Sequence, residues 1–175
     1  MGDPRRFDQF ASLIQRHFPS STRIADVAGG KGYLQCALRW RGFTSVHTFD
    51  KRQGRKHRPG RFEYSYRLFD ELVGTPFDLL VGMHPDEATD VIIVEAARRR
   101  VPFAVSPCCI KPFARAYFGA YSFSGWLAHL TALAINEGFD VTTEHLPISG
   151  RSLVIIGNPA QPAPGRRGYG SADRH

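Results

Sequence analysis

The sequence predicts an α/β fold: a mostly parallel sheet of seven strands with helices on both faces, finished by an antiparallel hairpin. Short apolar runs rich in Val, Ile and Phe alternate along the chain with longer amphipathic segments. The last two apolar runs, 139–148 and 151–159, follow each other with only a Ser-Gly turn between them. A chain of 175 residues that is 42% hydrophobic and 12% aromatic is also long enough for one well-buried core. That core is expected over 1–158, and the Pro/Gly/Arg-rich stretch 159–175 is expected to be a disordered tail.

Residues 4–18 place Phe7, Phe10, Leu13, Ile14 and Phe18 on one face of a helix that Pro19 stops. STRIADVA, 21–28, reads as a buried strand, and YLQCALRWRG, 33–42, as a helix closed by Gly42. SVHTFD, 45–50, alternates and ends in Asp50, a second strand. KRQGRKHRPGR, 51–61, holds no apolar residue except a proline, cannot bury a face, and reads as a loop. FEYSYRLF, 62–69, and FDLLVGMH, 77–84, are the third and fourth strands. PDEATDVIIVEAARRR, 85–100, opens with a proline and acids and closes with arginines, the polarity a helix dipole favours. Its terminal Arg98, Arg99 and Arg100 read as a solvated helix end. VPFAVSPCC, 101–109, is a fifth strand, and SFSGWLAHLTALAINEG, 122–138, a helix ending at Gly138.

Charge and cysteine usage narrow the partners. Lys and Arg number 23 against 16 acids, a formal net charge of +7 that favours anionic partners, nucleic acid first. An arginine-rich, glycine-rich composition is the competing account of the same charge. The three cysteines, Cys36, Cys108 and Cys109, make no disulfide framework, which suits a reducing, cytoplasmic setting. No run approaches the ~18 consecutive apolar residues of a membrane helix, so no membrane partner is expected.

The stretch IADVAGGKGYL, 24–34, carries three glycines at the mouth of the first strand, which lets backbone approach a ligand closely. In parallel sheets ligands sit at the carboxyl ends of the strands, where the winding direction reverses. A dinucleotide fingerprint would need a third glycine inside the following helix, where this chain has leucine and glutamine. Asp26, Val27, Ala28, Gly29, Gly30, Lys31 and Gly32 instead resemble the first motif of class I, Rossmann-like, S-adenosyl-L-methionine-dependent methyltransferases, with Ala28 in place of the first glycine. The resemblance implies adenosylmethionine as cofactor, held by Asp26, Ala28, Gly29, Gly30, Gly32, Asp50, Lys51 and Gly82. Asp50 would then accept hydrogen bonds from the ribose hydroxyls. The bland alternative is a glycine-rich turn with no ligand and an Asp50 that caps a turn.

Three later stretches, LLVGMHPDEATD, PFAVSPCCIKP and LPISGRSLVIIG, resemble a methyltransferase-domain family that includes tRNA ribose methyltransferases. In that family the fourth strand runs into a His-containing turn and a Thr-Asp helix start, and the fifth ends in paired cysteines. The likeness spans roughly residues 22–157, and the His84 to Asp90 spacing is one residue shorter than in the tRNA enzymes.

Methyl transfer is an in-line displacement, so the protein supplies positioning and, where needed, a base. Amino methyltransferases carry Asp/Asn-Pro-Pro-aromatic after the fourth strand. Here Gly82-Met83-His84-Pro85 stands there, which favours an oxygen acceptor. His84, Lys111 and Arg151 are the catalytic candidates; His84 could be a base oriented by Asp86 and Glu87, or only a backbone or cofactor-carboxylate partner. Cys108 and Cys109 read as core packing beside the cofactor or as substrate contacts. No metal is expected, since zinc needs further ligands and only His84 comes near. Arg52, Arg55, Lys56 and Arg58 of the basic loop, with Arg115 among Phe113, Tyr117 and Phe118, are substrate candidates, able to meet phosphates and stack bases. The 110–123 segment could equally close over a small molecule. The chain thus reads as an adenosylmethionine-dependent methyltransferase of RNA, tRNA foremost, at an oxygen. The alternatives are methylation of a small molecule or protein, or an inactive RNA-binding or assembly subunit with a protein partner.

Overall fold

The computed structural model describes residues 3–51, 64–65, 76–110 and 122–161, with backbone only at 64–65. Helix α1 is Arg6–His17, followed by strand β1, Ile24–Val27, helix α2, Tyr33–Trp40, and strand β2, Val46–Phe49. A two-residue strand β3, Tyr64–Ser65, precedes β4, Leu79–Met83. A 3₁₀ turn, Asp86–Ala88, runs into α3, Thr89–Arg99, and β5, Phe103–Ser106, follows. Helix α4, Phe123–Asn136, and strands β6, Phe139–His145, and β7, Leu153–Pro159, complete the order.

The strands form one mixed sheet in the order β3-β2-β1-β4-β5-β7-β6. β3, β2, β1, β4 and β5 are parallel, and β7 runs antiparallel to both β5 and β6. β7 is the one strand that runs against the other six, so the sheet is mixed but mostly parallel, with the antiparallel hairpin at its edge and β7 inserted between β5 and β6. The hairpin connection differs from the expectation. His145 pairs with Leu153, so seven residues, 146–152, join the strands rather than a tight Ser-Gly turn.

Side chains of period two divide the core between the faces. Ile24, Leu79, Val81, Met83, Ala104, Val154 and Ile156 meet Phe10, Leu13 and Ile14 of α1 and Leu34 and Leu38 of α2. Their neighbours Ala25, Val27, Leu80, Phe103, Val105 and Ile155 face Ile92, Ile93 and Ala96 of α3 and Trp126, Leu130 and Ala134 of α4. This is the three-layer arrangement the patterning implied. Gly157 is required where it stands: a Cβ there would lie 2.2 Å from the Phe103 ring, which packs over it from the paired strand.

Gly42 stops α2 as expected. At φ 92° it lets Phe43 N–H reach Leu38 C=O at 3.2 Å and its own N–H reach Arg39 C=O at 3.0 Å, a complete Schellman cap with Leu38 and Phe43 both buried. The arginine end of α3 is not simply solvated. Arg99 and Arg98 bond to the buried Glu95 at 2.8 and 3.2 Å, and Arg99 is itself largely covered.

From β1 the chain winds to β2 and β3 on one side, and from β4 to β5 on the other. The topological switch point therefore lies between β1 and β4, and a crevice at their carboxyl ends is where ligands bind in such sheets.

Candidate functional site

Two loops flank that switch point: 28–32 after β1 and 84–88 after β4. Ala28, His84, Asp86 and Arg100 are the non-glycine residues with positive φ among those described, and three of the four stand in these two loops. An L-residue in the left-handed region costs roughly 1–2 kcal/mol, and strain of this kind concentrates at functional sites.

On the β1 side, Ala28, Gly30 and Gly32 take φ of 56°, 62° and 73°. Gly32 ends the loop as the first cap of α2. Gly29 N–H donates to Phe49 C=O at 3.2 Å, and Gly30 N–H donates to Asp50 Oδ2 at 2.8 Å. Asp50, 2% exposed at the end of β2, thus holds the loop as well as standing where a ribose-binding acid is expected. Lys51 follows it and pairs through Nζ with Glu87 Oε2 at 3.1 Å, beyond β4. Because β1 lies between β2 and β4, this exposed ion pair crosses from one side of the glycine loop to the other.

Two residues expected at the cofactor lie beneath the surface instead. Asp26 is fully buried in β1, its Oδ2 accepting from the Thr48 hydroxyl at 3.0 Å. A Cβ on Gly29 would fall 2.1 Å from that same oxygen, so Gly29 is the lid over the acid. Burial pushes Asp26 up to about 7; the Thr48 hydroxyl works against the shift, the charge of Asp50 adds to it, and the Gln35 N–H opposes it. Gly82 is the second. It sits inside β4, where a Cβ would lie 2.6 Å from Ile92 Cδ1 and 2.9 Å from Pro85 Cβ, so packing accounts for it. The sequence marked both as motif members but could not separate a residue that touches a ligand from one that supports the loop.

On the β4 side, His84 N–H donates to Ser106 C=O at 3.0 Å, tying the turn to β5. Its ring Nε2 lies 3.4 Å from the backbone oxygen of Arg151. A carbonyl only accepts, so Nε2 carries the proton of this long contact and Nδ1 is the basic nitrogen. Burial holds the imidazole below the usual histidine range, so it stays neutral to lower pH. The Arg151 guanidinium lies 3.7 Å over the Phe123 ring, at the start of α4. His84 and Arg151 are therefore brought together, but through the arginine's backbone rather than its side chain.

Cys108 and Cys109 follow β5 and face the β4 turn. The Cys108 thiol lies 3.4 Å from Asp86 Oδ1 and 3.3 Å from Cys109 Sγ. Cys108 is half-buried and Cys109 exposed, so neither is core packing. Burial, then the neighbouring Cys109 thiol and Asp86, push Cys108 up to about 12, so this thiol stays protonated at ordinary pH. Asp86 thus meets Cys108 and also acts through its charge on His84, whereas Glu87 pairs with Lys51. Lys111, Arg115, Arg52, Arg55, Lys56 and Arg58 lie outside the described residues, as do most of the basic loop, the 110–123 segment, the 62–69 run and the 159–175 tail.

The fold is shared widely among solved structures. The ribosomal protein L11 methylase of Lactobacillus delbrueckii subsp. bulgaricus matches with a TM-score of 0.62 at 16% identity, over 89% of this chain and 77% of that one. The sugar N-methyltransferase KedS8 of Streptoalloteichus sp. matches with a TM-score of 0.60 at 12% identity, over 90% and 88%. An S-adenosylmethionine-dependent methyltransferase of Mesorhizobium loti matches with a TM-score of 0.54 at 14% identity, over 83% and 94%. The chain has the class I methyltransferase fold. In sequence it is 37% identical over 97 residues to a Caenorhabditis elegans protein named "Probable tRNA (uracil-O(2)-)-methyltransferase", covering 46% of this chain. The chain spans only 16% of the length of that relative. No family model matches it. Among the described residues no helix is long and apolar enough to cross a membrane.

Proposed function

We propose that this chain is an adenosylmethionine-dependent methyltransferase acting on RNA, tRNA in the first place, at an oxygen. The observation that carries the reading is the Asp50 carboxylate bonded to Gly30 N–H at the mouth of a loop with three left-handed residues. A loop so bent leaves its backbone open to close approach, and a buried acid beside it can accept from a pair of hydroxyls. These residues fit an adenosyl cofactor. Gly29 to Gly32 would border its methionyl end, Asp50 would meet its ribose, and Lys51 would flank it; Asp26 would keep the loop in shape from below. The bound cofactor supplies an electrophilic methyl on a sulfonium.

This chain's own contribution is placement and proton handling. Neutral His84, with Nδ1 as its basic nitrogen, is the group able to take a hydroxyl proton as the oxygen becomes nucleophilic. The turn after β4 holds no paired prolines of the amino-methylating type. The RNA and tRNA part of the reading is supported by the excess of basic residues and by the likeness to the worm tRNA enzyme.

Calorimetry with adenosylhomocysteine, adenosylmethionine and NAD tests the cofactor, and labelled-methyl transfer to bulk tRNA at varied salt tests the substrate. Micromolar adenosylhomocysteine binding and no NAD binding are expected. Asp50→Ala is expected to lower that affinity at least about tenfold, one charged hydrogen-bond acceptor being worth roughly 1.5–3 kcal/mol. Wild-type binding by Asp50→Ala would overturn the cofactor assignment. RNA methylation should fall steeply between low and moderate salt, whereas a small neutral substrate would be indifferent to it.

A further inference from the structure

We propose that Asp86, Cys108 and Cys109 form a site for a thiophilic divalent metal ion, zinc in the cell. Their three ligand atoms lie within 4.8 Å of one another. Two elements far apart in sequence build the trio: the left-handed turn after β4 presents Asp86, and the end of β5 presents both thiols. The parallel pairing of β4 with β5, which sets Met83 against Ser106, brings those two strand ends side by side.

The spacing suits a metal. Tetrahedral zinc with bonds of about 2.3 Å to sulfur and 2.0 Å to oxygen separates sulfur from oxygen by roughly 3.5 Å and sulfur from sulfur by roughly 3.8 Å. The observed separations are 3.4 Å from Cys108 Sγ to Asp86 Oδ1 and 3.3 Å between the thiols. The third separation, Cys109 Sγ to Asp86, lies within 4.8 Å, so an ion fits once the two sulfurs part by about half an ångström and side-chain rotation sets the Cys109 to Asp86 gap near roughly 3.5 Å. Two soft sulfurs with one carboxylate are a donor set that zinc accepts and magnesium or calcium does not favour.

Binding releases two protons, one from each thiol, as two zinc–thiolate bonds and one zinc–carboxylate bond form. Cys109 is exposed, so the trio opens to solvent and leaves a fourth coordination position for water or for an oxygen of a ligand. This proposal stands apart from the methyltransferase reading, because it needs neither cofactor nor RNA.

The test uses the full chain, reduced with a phosphine and stripped of metal, with its free thiols counted first. Titration with Co2+ should produce a thiolate-to-cobalt charge-transfer band that saturates at one ion per chain, and zinc should abolish it. Cys109→Ser should remove most of the band, and Asp86→Asn should weaken binding at least about tenfold. Cys36→Ser, on a thiol outside the trio, should leave both unchanged. Circular dichroism of each variant separates a lost ligand from a lost fold. A folded wild-type protein without the band, or a band insensitive to both Cys109→Ser and Asp86→Asn, overturns the proposal. The adenosylhomocysteine calorimetry fails or succeeds independently of this result.

Discussion

The two halves of the carboxyl edge are built on opposite principles. After β1, strain is matched by satisfaction: the left-handed loop is anchored by Gly29 to Phe49, by Gly30 to Asp50, and by a buried acid directly underneath. After β4, strain is spent on presentation. The half-buried His84 and Asp86 side chains reach Arg151 and Cys108, over a backbone that His84 N–H ties to Ser106. Satisfied backbone suits a rigid cradle for a ligand. A side chain aimed by a left-handed turn suits chemistry or ion binding, where the reactive atom must protrude.

The strongest way to break the comparison is to add one methyl group on each side. Gly29→Ala would press a carbon against the Asp26 carboxylate, which has nowhere to go, and should cost about 1–3 kcal/mol and abolish adenosylhomocysteine binding. Gly82→Ala meets a terminal methyl of Ile92 and the ring of Pro85, where the isoleucine can rotate. It should destabilise less and leave that binding measurable. Urea unfolding and calorimetry on the two variants check this directly; equal losses would mean the two loops are one unit.

The next effect is one of pH. Asp26 titrates near 7 in the fold and near 4 in the unfolded chain. Between those values the folded state binds the extra proton, so stability falls as pH rises from about 4 to 7 and levels off above. Asp26→Asn should remove that slope, making the variant more stable than the parent at pH 8 by on the order of 1 kcal/mol or more. Urea midpoints at pH 5 and pH 8 would show it. Unchanged slopes would mean the buried carboxylate is compensated in a way its neighbours do not reveal.

The smallest effect sharpens the comparison rather than breaking it. Ala28 occupies the left-handed region with no side-chain hydrogen bond to offset its cost. Ala28→Gly should therefore raise stability by up to about 1 kcal/mol while adenosylhomocysteine still binds. A loss of stability would show that the Ala28 methyl contributes packing that outweighs the strain.

Much of this molecule was legible in its residues. Alternation of apolar runs sets strand faces, and Leu79, Val81 and Met83 fall opposite Leu80 because a strand has period two. Gly42 announces a helix end because its left-handed φ is one that side-chain residues reach only at a cost. The glycine density of 29–32 and the acid at 50 marked the loop for the same local reason. These are properties of neighbours along the chain, and the sequence determined them by itself. Tertiary structure alone decided which motif residues are reachable, because burial depends on what lies across the sheet: Thr48 over Asp26, Ile92 over Gly82. It also decided that Asp86 belongs with Cys108 and Cys109, 22 residues away from the nearer of them. Only the pairing of β4 with β5 closes that gap, and no spacing read along the chain encodes it.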